Sequence, residues 1–144
     1  MLAHAFRANR SNVTARQYSD SFSPLGSWIW TSSAALLEKL IAYEAVHAIR
    51  SWQDLKNRLD SDRRCFAFFH PQLPDEPLIF VEVALVPEMA GAIAPLIDKR
   101  AQPLASDQFK AAVFYSISNC QPGLRGVSLG NFLIKRVAEQ LKRE

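Results

Sequence analysis

The run Leu78-Ile79-Phe80-Val81-Glu82-Val83-Ala84-Leu85 is apolar at every position except Glu82. Strict alternation would mark a strand with one wet face, whereas near-continuous apolar character marks a strand covered on both faces. Such a strand needs neighbours along its edges and a layer of structure on each side. The chain therefore reads as α/β (α+β), a mixture of helices around one sheet. Its partners are Cys65-Phe66-Ala67-Phe68-Phe69 and the segment from Ala111 to Ser118. Both are short, apolar and bounded by polar or proline-containing stretches. The first joins the central run as a hairpin with a longish connection. The prolines of His70-Pro71-Gln72-Leu73-Pro74-Asp75-Glu76-Pro77 exclude helix and central strand, so this stretch is predicted as a loop.

Helices flank these strands. Ser32 or Ser33 can cap a helix carrying Leu36, Leu37, Leu40 and Ile41 on one side. Ser51-Trp52-Gln53-Asp54 matches a relaxed capping box, with Asp in place of Glu or Gln, and predicts a second helix to Leu59. Trp28 to Trp30 reads as a short aromatic strand. Pro87 can open a helix through Met89, Ile93 and Ile97 that Pro95 shortens or breaks. Gln102 to Gln108 is a polar surface connection. Leu129, Phe132, Leu133, Val137 and Leu141 fall on one face of a terminal helix.

A chain of 144 residues, 49% hydrophobic and 22% charged, can bury one core, as a domain or as part of a larger one, and is not of the disordered class. A net charge of +3 suits an anionic small ligand and is too scattered for nucleic acid. Cys65 and Cys120 show no paired or metal-ligand spacing, which argues against a disulfide scaffold or zinc site and fits a reducing, cytoplasmic compartment. No apolar run is long enough to span a bilayer. The N-terminal stretch carries Arg7, Arg10 and Arg16 with no acid before Asp20. That composition fits a mitochondrial or other organellar transit peptide, but a solvated helix or an unrelated leader is the preferred reading.

The segment from Phe114 to Val137 combines a strand, a loop rich in Gly and Pro, and a helix start. Such a unit can cradle phosphate, because loop amides point inward and the helix dipole adds positive character. Gly123, Gly126 and Gly130 permit close backbone approach, Arg125 can pair with a phosphate oxygen, and Ser128 or Asn131 can donate a hydrogen bond. The competing reading is an ordinary Gly-rich turn with Ser128 as helix cap. Neither the P-loop nor the dinucleotide fingerprint is present. Ser116 and Ser118 share one strand face, with Tyr115 and Ile117 expected on the other. Cys120 reads as a small loop residue rather than a nucleophile. His70 with Asp75 and Glu76 invites an acid–base role, but a solvated turn is favoured. His47 is similarly ambiguous, and no metal-binding spacing occurs.

Three ordered segments carry a more specific signal: EAVHAIRSWQDLKNRL, DRRCFAFFHPQLPDEPLIFVEVAL and FYSISNCQPGLRGVSLGNFLIKRVAEQL. Together, from about Phe22 to Glu144, they closely resemble malonyl-CoA decarboxylase; residues 1–21 are not covered. The resemblance implies the front half of a catalytic domain with an acetyltransferase-like (GNAT-type) mixed sheet and flanking helices, incomplete at the C-terminal side. It implies conversion of malonyl-CoA to acetyl-CoA and CO2 without metal, biotin or other prosthetic group. It also implies CoA contact by Arg125, Gly126, Val127, Ser128, Leu129, Gly130 and Asn131, although Ser128 replaces an acid found in some members. The family's catalytic Ser and His match no residue of this chain, so none is assigned a catalytic role and the isolated chain is expected to be inactive. Two alternatives stand beside this reading: a non-catalytic CoA-binding or interaction module, with its sheet edge covered by a homo-oligomer or another chain, and an acyl-CoA-dependent acyltransferase.

Overall fold

The computed structural model describes residues 5–7, 25–98, 100–124 and 126–144. Five strands, β1 (Ala5–Arg7), β2 (Leu25–Trp28), β3 (Arg63–His70), β4 (Leu73–Val86) and β5 (Ala111–Asn119), form one sheet in the order β1-β5-β4-β3-β2. The central position belongs to β4, as its apolar run requires. Ile79, Phe80, Val81, Val83 and Ala84 are all essentially inaccessible to solvent. Ala5–Arg7 pair with Ala111–Val113, so this part of the N-terminal stretch is strand and not solvated helix. The remainder of the leader reading lies outside the described residues.

Every pairing among the described residues is antiparallel, whereas the expectation was a mixed sheet. The reason lies in the connections. Val86 and Ala111 face each other across the β4–β5 ladder, so the segment between them leaves and re-enters the sheet at the same end.

Among the described residues four α-helices flank the sheet: α1 (Ala34–Tyr43), α2 (Trp52–Arg58), α3 (Ala94–Ile97) and α4 (Leu129–Leu141). The Ser33 hydroxyl caps α1 at the Leu36 N–H and that of Ser51 caps α2 at the Asp54 N–H. The sheet separates two apolar layers. Leu133 and Val137 of α4 pack on Phe66, Phe68, Ile79, Val81, Val83, Leu85, Ala112 and Phe114. On the opposite face, Leu37 and Leu40 of α1 and Leu55 of α2 pack with Trp28, Cys65, Ala67 and Phe80. Leu96 of α3 joins Ala84, Val86, Val113 and Tyr115 further along that face. Full burial of each Leu or Val contributes about 1.5–3 kcal/mol.

Three local expectations are corrected. The β3–β4 connection is short, because His70 already pairs with Leu73; residues predicted as loop belong to β4. The prolines are accommodated by a register shift: the next pair is Phe69 with Pro77, leaving Pro74, Asp75 and Glu76 as a bulge. The ladder to β5 begins only at Ile79, so a missing proline N–H costs no bond on that side. Pro95 lies in the first turn of α3 rather than ending a longer helix, since a helix start leaves its N–H groups unpaired anyway. The aromatic strand ends at Trp28, where the Ile29 N–H turns to the Ser32 hydroxyl and leaves Trp30 exposed.

Candidate functional site

The Gly-rich loop is fastened where it leaves β5. The Cys120 N–H donates to the Leu78 carbonyl at 3.0 Å, and the Gln121 side-chain amide donates to the Pro77 carbonyl at 3.1 Å. A 3-10 turn (Pro122–Leu124) follows, and Gly126 takes a left-handed φ of 85°, which a side chain would strain. A Cβ at Gly123 or Gly126 would meet nothing within 4 Å, so both present backbone to open space. By contrast, a Cβ at Gly130 would lie 3.6 Å from Ile117 Cγ2 and Ile79 Cδ1, on the core side.

The helix α4 then starts without a side-chain cap. Ser128 occupies the cap position, but its hydroxyl makes no capping bond, contrary to the ordinary-turn reading. The Val127 and Leu129 amides are turned to the Leu124 and Val127 carbonyls, so the start of α4 can offer an anion its dipole and the amides that follow Leu129. Gly126 to Asn131 are contiguous here, while Arg125 lies outside the described residues.

The strand that feeds the loop is bulged. Glu82 pairs with Ser116 but Val83 pairs with Phe114, so Tyr115 is an extra residue on β5. Ser116 and Ser118 share a face as expected, and Ile117 lies on the α4 face. Tyr115 does not join Ile117. The bulge carries it to the Ser116 side, against Ala84, Val86 and Leu96.

That face holds a buried polar seam between the two apolar clusters. Glu44, at the end of α1, receives hydrogen bonds from the Ser116 hydroxyl at 2.8 Å and from the Val46 and His47 amides at 2.7 and 2.9 Å. Arg58 of α2 donates to Glu82 Oε2 at 3.0 Å, to the His47 carbonyl at 3.0 Å and to Asp54 Oδ1 at 3.4 Å. Asp54 Oδ2 in turn accepts from the Arg50 N–H at 3.1 Å, so its carboxylate reaches one residue beyond the helix cap. Burial, and then the neighbouring Glu44 charge, push the Glu82 carboxyl up to about 8, with Arg58 acting in the opposite direction. Burial followed by Glu82 holds the Tyr115 phenol well above its ordinary value. Burial opposes the Arg58 charge, yet Glu82 and Tyr115 help keep its pKa raised.

The remaining sequence candidates do not assemble into a reactive constellation. Burial, then Glu76 and Glu44, push the Cys120 thiol up to about 12, the wrong direction for a nucleophile. His70 accepts the Gln72 N–H in an exposed turn, while Glu76 pairs with Lys39 at 2.6 Å and Tyr43 at 3.2 Å. Among the described residues no group of His, Cys, Asp and Glu could hold a metal ion, and no helix is long and apolar enough to cross a membrane. Sequence reasoning missed the roles of Glu44, Asp54 and Arg58. The available signal was Glu82 itself, a carboxylate in a run that must be buried.

A family model described as the malonyl-CoA decarboxylase C-terminal domain matches residues 22–144. The mitochondrial malonyl-CoA decarboxylases of Anser anser anser and Mus musculus are each 40% identical over 136 residues, spanning 92% of this chain and 27% of their own length. Among solved structures, malonyl-CoA decarboxylase from Agrobacterium vitis is 56% identical with a TM-score of 0.80, covering 85% of this chain and 30% of that one. The enzyme from Rhodopseudomonas palustris is 57% identical with a TM-score of 0.79 over the same shares. The chain thus spans less than a third of each relative.

Proposed function

The chain belongs to the malonyl-CoA decarboxylase family, and we propose from that premise that it supplies a CoA-binding portion of the decarboxylase catalytic domain. The ligand is the CoA moiety of malonyl-CoA or acetyl-CoA, with its pyrophosphate at Arg125, Gly126, Val127, Ser128, Leu129, Gly130 and Asn131. The observation that carries this reading is the uncapped start of α4 behind an open Gly loop, within the segment matched by the family model. Backbone amides suit this task because they present donors to an anion without side-chain ordering. The acetyltransferase-like (GNAT-type) architecture belongs to the same proposal: β5, the loop and α4 would be that domain's strand, pyrophosphate turn and helix.

Binding and chemistry separate in this chain. Loss of CO2 from a malonyl thioester leaves an enolate, which calls for preorganised donors at the thioester oxygen and for an acid that protonates carbon. The candidates described above are otherwise engaged: Ser116 donates to Glu44, and the Cys120 thiol is held protonated. The isolated chain is therefore expected to bind CoA and to turn over little or no malonyl-CoA.

Isothermal titration of the 144-residue protein with CoA tests the first half. Binding should weaken about tenfold, ~1.4 kcal/mol, in Arg125→Ala and should weaken as salt is raised. Absence of heat with CoA, or an unchanged affinity in the variant, would refute the loop assignment. Assay of acetyl-CoA release from malonyl-CoA tests the second half, and appreciable turnover would overturn it.

A further inference from the structure

Outside the loop, the seam beneath the connection from α1 to α2 has an unusual charge inventory. Of three buried carboxylates, Asp54 and Glu82 pair with the one guanidinium of Arg58 and Glu44 is held by hydroxyl and amide donors, while Arg63 is taken by Asp62 at 2.8 Å. Arg58 occupies only one oxygen of Glu82. Glu82 Oε1, the Tyr115 hydroxyl and His47 Nε2 are all buried and have no hydrogen-bond partner among the described residues. They are neighbours: Arg58 bridges Glu82 to the His47 carbonyl, and the His47 and Tyr115 rings lie 6.3 Å apart. An ionised Glu82 would place a second negative charge beside Glu44 away from water, which Arg58 and the Tyr115 hydroxyl offset only in part. A neutral carboxylic acid carries its proton on Oε1 and becomes a donor toward the phenol oxygen or the imidazole.

We propose that Glu82 is the proton-bearing centre of a pH-operated latch, which holds the α1–α2 connection on β5 while Glu82 is neutral and releases it when the proton passes to solvent. The groups facing Glu82 define the latch from every side. Cys65 pairs with it on β3, and Tyr115 and Ser116 stand on β5. Glu44 ends α1, His47 lies in the connection, and Asp54 and Arg58 come from α2. Arg63 of β3 acts on Tyr115 from further along the face. The moving part is equally defined. Glu44 clasps Ser116 and also anchors the Val46 and His47 amides, while the Ala45 amide reaches Ser118. Ionised Glu82 repels Glu44, so this clasp is what opens, and it opens at the strand that feeds the Gly loop.

The sign follows from linkage. In the open, hydrated state Glu82 titrates as an ordinary carboxylic acid, whereas the closed state keeps its proton to higher pH. The closed state therefore binds the extra proton, and opening becomes more favourable as pH rises between the two values. Below the ordinary carboxylate range, and above the closed-state value, the opening equilibrium is flat.

Hydrogen exchange of the Ala45, Val46 and His47 amides, corrected for intrinsic base catalysis, reads this equilibrium in the intact chain. From pH 5.5 to 8 protection should fall by about tenfold per pH unit and then level off. In Glu82→Gln, a neutral isostere of the acid form, protection should be high and independent of pH. In Glu44→Gln, which removes the charge but keeps an oxygen to accept the clasp's hydrogen bonds, the levelling should begin at lower pH. Flat protection in the parent chain, or the same slope in Glu82→Gln, would overturn the latch. If Glu82→Gln does not fold, the 13C resonance of the Glu82 carboxyl decides: titration above pH 6.5 supports the proposal, and titration below it refutes it.

Discussion

Arg58 ties α2 to β4 and to the α1–α2 connection, since it touches Asp54, Glu82 and the His47 carbonyl while only 3% exposed. Removing a buried charge strands its partners, and the cost is set by what is left unpaired more than by the bond itself. Arg58→Ala is expected to lower unfolding free energy by about 3–5 kcal/mol, read as a shift of the urea midpoint. Part of this loss arises from Glu82, so it should be smaller in a Glu82→Gln background. A double-mutant cycle giving no coupling between the two positions would show that Arg58 acts through packing alone.

The junction of β5, the loop and α4 sorts its glycines by direction. Gly123 and Gly126 face open space, but a methyl group at Gly130 would point to Ile117 and Ile79 at an ordinary contact distance of 3.6 Å. Alanine also suits a helix better than glycine, chiefly by restricting the unfolded chain. Gly130→Ala should therefore stabilise the protein by about 0.4–1 kcal/mol in urea titrations, with CoA affinity unchanged because the Gly130 N–H remains in place. A fall in affinity would mean that the ligand approaches from the core side of α4, against the loop geometry.

The elements were largely legible from the sequence because their signals are local. The caps at Ser33 and Ser51, the doubly covered β4 and the one-sided α4 all follow from residues a few positions apart. The Pro-containing arm of β4 was misread because proline limits a strand only where a partner needs its N–H, and that depends on where β5 stops. Tyr115 was placed on the wrong face because strict alternation cannot register a bulge, which is set by the neighbouring strand. The seam was illegible for a related reason. Glu44, Arg58, Glu82 and Ser116 come from separate elements, and only the closed sheet brings them together.

At the scale of the molecule, β4 belongs to both apolar layers at once. Ile79, Val81 and Val83 face α4, whereas Phe80 faces α1 and α2. Neither layer can come apart without disturbing the strand that supports the other, so the described residues should unfold as one cooperative unit. Two substitutions probe this from opposite sides. Leu40 in α1 and Leu133 in α4 are both 0% exposed and belong to different clusters, so alanine at each should cost about 2–5 kcal/mol. Sharing no packing partner, they should add to within about 0.5 kcal/mol in the double variant. The two sides can also be watched independently. Trp28 is buried in the α1 layer with its indole N–H on the Leu36 carbonyl, so its fluorescence follows that layer, while far-ultraviolet circular dichroism follows α4 along with the other helices. In both single variants the two probes should give one urea midpoint. If Leu133→Ala instead shifted the dichroism transition ahead of the fluorescence, the α4 side would be a separate folding unit, and a ligand held by the loop would stabilise that side alone.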